Sequence, residues 1–97
     1  MRRLTIKPHA EEQIYDVAEW IAEKNLPETG IKFIDSVYSF LLGYCKLTNL
    51  KFPLCNNAML AKRKMSCVVF KSKWVVAFTY TRKEIVIHEF IWGAKLH

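Results

Sequence analysis

Leu4-Thr5-Ile6 alternates apolar and polar positions and predicts a short strand, which Pro8 closes while opening a helix at His9 or Ala10. Beyond it the period lengthens: Ala10, Ile14, Val17, Ala18 and Ile21 fall on one helical stripe. Glu11 and Glu12 crowd the first turn, where the helix dipole favours acids, and Asp16 follows a turn later. Asn25-Leu26-Pro27 ends this helix, and a second starts near Pro27 or Glu28 and runs to Leu47 or Thr48. Its apolar face carries Ile34, Val37, Tyr38, Leu41 and Cys45, widened by Phe33, Phe40, Tyr44 and Leu47. So short a connection folds the two helices into an antiparallel hairpin. Residues 48–57, with Pro53 and Asn56-Asn57, read as a loop.

From Met65 the period drops to two, in three runs: Met65–Phe70, Trp74–Tyr80 and Glu84–Trp92. Lys71-Ser72-Lys73 and Thr81-Arg82-Lys83 are long enough for hairpin turns and nothing more. The expected fold is α+β in the order β-α-α-β-β-β, one domain over residues 1–97. Its helix hairpin covers one face of a small, mainly antiparallel sheet that also takes in the first strand. On the middle strand Trp74, Val76, Phe78 and Tyr80 should meet the helices, leaving Val75, Ala77 and Thr79 on an open face and Tyr80 a structural phenol. Strict alternation along the last strand sends Ile85, Ile87, Glu89 and Ile91 toward the helices, and Val86, His88, Phe90 and Trp92 the other way. His88 and Glu89 would then lie on opposite faces and could not act as a pair.

The formal charge of +6 changes this picture through its distribution. Residues 1–50 hold six Lys/Arg against seven acids, whereas residues 51–97 hold nine against Glu84 and Glu89. The second half is therefore the electrostatic face, suited to a polyanion or an acidic protein segment. Cys45, Cys55 and Cys67, odd in number and without a Cys-x-x-Cys pair, are expected to be reduced core residues rather than zinc ligands. No apolar run is long enough to span a bilayer and no signal-peptide pattern is present, so a soluble cytoplasmic protein with no membrane partner is expected.

Lys62-Arg63-Lys64 is the densest positive run and is expected where the first meander strand begins. It suits phosphates or carboxylates, with binding that weakens in salt. His88 is the best acid/base candidate because imidazole exchanges a proton near neutral pH. His9 and His97 are weaker, and three histidines so dispersed propose no metal site.

The chain resembles the RelE/ParE superfamily of toxins from bacterial toxin–antitoxin and plasmid-stabilisation modules. The likeness rests on the element order, the first strand ending at Pro8, and the Ala10-Glu11 opening of an acidic helix with Ile14, Val17 and Ile21. It extends to the Pro-containing segment after the second helix and to Gly93-Ala94-Lys95 after the last strand, similar to the family's H-G-A-R. It implies a toxin held inactive by a small antitoxin protein, with no cofactor, acting either on DNA gyrase as ParE-like members do or on ribosome-bound messenger RNA as RelE-like members do. RelE-like cleavage uses lysines before the sheet, an arginine on the middle strand and basic or aromatic groups near the C-terminus. Lys62-Arg63-Lys64 and Lys95 answer to the first and last of these, but Val75 or its neighbours stand where the arginine is expected, and Trp92 stands where relatives often have histidine. The resemblance thus points to a ParE-like or catalytically altered toxin, with messenger RNA cleavage or a non-toxic binding module as alternatives. The candidate target-binding set is Lys62, Arg63, Lys64, Arg82 and Lys95, and the catalytic candidates are His88 and Lys95.

Overall fold

Proline stands at the start of both long helices, where its missing N–H costs no hydrogen bond and its fixed φ favours the first turn. In the computed structural model, which describes residues 1–96, β1 (Arg3–Ile6) leads into α1 (Pro8–Lys24) and α2 (Pro27–Cys45). After a long connection come a short helix, α3 (Ala58–Lys62), and the meander β2 (Ser66–Phe70), β3 (Trp74–Tyr80) and β4 (Glu84–Trp92), closed by a 3-10 turn over Gly93–Leu96. The fold is α+β, as expected.

The hairpin is tight because Gly30 lets two backbones touch: a Cβ there would lie 2.6 Å from the Ala18 carbonyl oxygen. Ala10, Ile14 and Ala18 then pack with Phe33, Val37, Leu41 and Cys45 in the main core. The hairpin covers one face of a sheet ordered β1-β4-β3-β2, in which β1 and β4 are parallel and the other pairs antiparallel. Trp74, Val76, Phe78 and Tyr80 face the helices, as alternation predicts. Phe33 sets its ring edge-on to Phe70, Trp74 and Phe90.

Alternation fails at one residue of β4. Phe78 pairs with Ile87 but Ala77 pairs with Glu89, so His88 has no partner across the ladder and forms a β-bulge. Every position beyond it therefore exchanges faces. Phe90 is buried on the helix side, stacked on Trp74 at 5.4 Å between ring centroids, and Trp92 sits opposite Trp74. Glu89 and Ile91 instead oppose Ala77 and Val75 on the other face. The expected separation of His88 from Glu89 is thus overturned. The energetic reason is plain: burying a phenylalanine contributes roughly 2–3 kcal/mol, whereas strict alternation would have turned a carboxylate into the core.

The connection between α2 and β2 is more ordered than its composition suggests. Phe52 inserts into the core between Tyr44, Phe78 and Tyr80. The Tyr80 hydroxyl accepts from the Phe52 N–H at 2.9 Å and donates to the Phe52 carbonyl at 3.3 Å, which makes it a structural phenol. α3, which the sequence reading missed, begins where the Asn57 side chain accepts from the Leu60 N–H. Leu60, Cys55 and Met65 form a second small core over Ala77, so the sheet face expected to be open is partly covered. Cys55 and Cys67 are joined by a disulfide across this cover, which corrects the expectation of three reduced cysteines. Cys45 is a free, buried thiol as expected, with burial pushing its pKa up.

Candidate functional site

α3 ends in two reverse hydrogen bonds, Lys64 N–H to the Ala61 carbonyl and Met65 N–H to the Leu60 carbonyl. This terminator needs a left-handed residue, usually glycine; here Lys64 takes it, with φ of 61°. Lys62-Arg63-Lys64 therefore caps a helix end rather than opening a strand, and the turn brings Arg63 to the bulge of β4. Arg63 Nη1 lies 3.8 Å from Glu89 Oε2, a loose ion pair.

The other half of the site comes from α1. Pairing between β1 and β4 stops at Ile6 and Ile87, leaving the next stretch of β4 edge without a strand neighbour. Gln13 fills the gap: its Oε1 accepts from the Phe90 N–H at 2.8 Å, and its Nε2 donates to Glu89 Oε1 at 3.2 Å. His9 Nε2 is 3.1 Å from the same carboxylate oxygen. Glu89, with its side chain 14% exposed, is thus clamped between α1 and the α3 turn.

His88 projects beside this clamp, its Nε2 hydrogen-bonded to Thr79 Oγ1 at 2.9 Å. Burial, then the charges of Lys7 and Arg63, press its pKa below the ordinary 6.5, with Glu89 opposing them. A neutral imidazole at pH 7 can accept a proton, and cations around it can stabilise an anionic partner. The bulge thus assembles His9, Gln13, Arg63, Thr79, His88 and Glu89 into one polar cluster.

Two of the expected residues lie elsewhere. Lys95 lines a groove of about 460 Å³ with Asp16, Val17 and all three tryptophans, Trp20, Trp74 and Trp92. This groove is on the helix side because Trp92 has changed faces, so His88 and Lys95 are not brought together. Arg82 lines a different pocket, with Arg2 and Lys51. His97 lies outside the described residues, and among those described no three His, Cys, Asp or Glu side chains form a metal-binding group.

No known protein family, curated protein or solved structure matches this chain. Sequence reasoning missed Gln13 and the anchoring role of Glu89, although one signal was present: in Ile87-His88-Glu89-Phe90 two polar residues, not one, separate the flanking core positions.

Proposed function

We propose that this protein is the toxin of a type II toxin–antitoxin module of the RelE/ParE kind, neutralised by a small antitoxin protein and working in the bacterial cytoplasm. The observation that carries the reading is the order β-α-α-β-β-β with the helix hairpin on one sheet face, combined with a basic turn at the edge of the other. Arg63, with Lys62 and Lys64 beside it, supplies the charge that engages the target, in the ParE-like reading DNA gyrase. Charge-driven binding of this kind weakens steeply as salt rises.

The cluster at the bulge favours a second reading, RelE-like cleavage of ribosome-bound messenger RNA. His88, kept neutral near pH 7, would take the proton of an attacking 2′-hydroxyl while Arg63 stabilises the phosphorane; the P–O5′ bond then breaks to leave a 2′,3′-cyclic phosphate, and the imidazolium returns its proton to the departing 5′-oxygen. Lys95 has no part in this version, because it lines the tryptophan groove.

Induction of the chain alone in bacteria, followed by growth measurement and primer extension on abundant transcripts, tests both. Growth arrest with intact transcripts supports the gyrase-directed reading, and arrest with new 5′ ends supports cleavage. Unchecked growth with folded protein present contradicts both. A cytoplasmic site of action also sets the Cys55–Cys67 bond against a reducing environment, so the pair is expected as thiols in growing cells and as a disulfide after oxidation.

A further inference from the structure

Arg2 is the most deeply buried cation among the described residues, 3% exposed, and none of the described carboxylates lies within ion-pair distance of it. Its Nη1 and Nη2 donate to the Leu47 and Leu50 carbonyls at 3.2 and 3.0 Å, which fixes the turn after α2. Its guanidinium carbon lies 5.1 Å from the centroid of the Tyr80 ring and 5.6 Å from that of Phe52. Nε is buried with no hydrogen-bond partner among the described residues. Carbonyls and ring faces offset part of the cost of a buried charge, but they bring no counter-charge.

Arg2 forms the floor of a pocket of about 500 Å³ whose rim carries Lys51 and Arg82, with Thr48, Asn49 and Thr81 supplying neutral polar groups. Three cations thus surround one hollow that none of the described acids lines. Lys51 and Arg82 are exposed and come from different elements, the α2–β2 connection and the β3–β4 turn, so folding draws like charges together at this point. We infer that the Arg2–Lys51–Arg82 pocket is a binding site for a phosphate group, the ligand class whose charge and several acceptor oxygens suit this donor set. The pocket shares no residue with the His88 cluster and stands apart from the surface proposed for the toxin target.

Backbone amide NMR titrations with inorganic phosphate and with adenosine 5′-monophosphate test it, using chloride at matched ionic strength as the control. Saturable shifts at Leu50, Lys51, Thr81 and Arg82 are expected from both phosphates and not from chloride. Lys51→Gln and Arg82→Gln, both at exposed positions that leave the core intact, should each weaken binding about tenfold, as expected for loss of one charge-assisted contact. Tighter binding of the nucleotide than of inorganic phosphate would identify a phosphorylated nucleotide end as the source, and equal binding the free anion. Shifts that chloride reproduces, shifts centred elsewhere, or affinity unchanged in both variants would overturn the assignment.

Discussion

Arg2 and Arg63 both lie in polar surroundings at the margins of the sheet, but their charges are answered differently. Arg2 is sequestered, holds two carbonyls of one turn and faces no described carboxylate. Arg63 has a side chain 53% exposed and stands loosely opposite Glu89, which α1 holds from the other side. The first arginine is part of the scaffold and leaves a positive hollow at its mouth. The second contributes little to the scaffold and is free to act on whatever approaches the bulge. Burial and partner type, more than charge itself, divide these roles.

The largest effect that could break this contrast is on stability. Arg2→Ala should cost about 4 kcal/mol, because it removes the Leu50 carbonyl's donor, leaves the Leu47 carbonyl with the Leu50 N–H alone, and unpacks Phe52 and Tyr80. Arg63→Ala, whose ion pair is long and half exposed, should cost less than about 0.5 kcal/mol. Urea denaturation of both variants checks the pair of values, and similar losses would remove the distinction.

Next in size is the disulfide that spans α3. Reducing Cys55–Cys67, or replacing both by serine, should lower stability by about 3 kcal/mol through the freed loop. Amide exchange should quicken across residues 55–65 before it quickens around Arg2. Uniform exchange would mean that the Arg63 turn and the Arg2 turn are not separately held.

A smaller effect separates backbone from side chain at the α3 terminator. Lys64→Gly should stabilise the protein by about 1 kcal/mol, because glycine takes the left-handed conformation without strain. If Lys64 also binds the target, the same variant will be more stable and less active, a combination that a purely structural role does not produce. Thermal melts and growth assays on one variant read both.

The smallest effect is electrostatic. His88 has its pKa depressed, so the unfolded chain takes up a proton before the folded one as pH falls. Its contribution to stability is therefore complete above the ordinary 6.5 and is lost progressively as pH falls from there through the folded value. Arg63→Gln should raise the pKa of His88 toward 6.5 and flatten that slope, whereas Lys51→Gln, at the Arg2 pocket, should leave it in place. Imidazole titration by NMR distinguishes the two.

The fold was legible because its signals are local and repeated. The α1 stripe, the two prolines and the β3 alternation each predict an element that is present, and the bounds of β3 and β4 match. The site was less legible because it depends on one inserted residue. A bulge leaves composition unchanged and reverses every later side chain, so the expected positions of Phe90, Trp92, Glu89 and Ile91 were inverted. α3 was hidden for a different reason: five residues are too few to show a period, and its stability comes from the Asn57 cap, Leu60 and the disulfide-bonded cover. Arg2 could not be distinguished from Arg3 in the sequence, because burial is decided by the turn after α2, more than forty residues away.

Growth after induction of the wild-type chain and of Arg63→Gln/Lys64→Gln decides whether the cations brought to the bulge of β4 are the working face of a toxin, as proposed. Both proteins must first be shown folded and equally abundant. Arrest by the wild type and growth with the double variant are expected. Growth with the wild type, or equal arrest by both, would contradict the proposal.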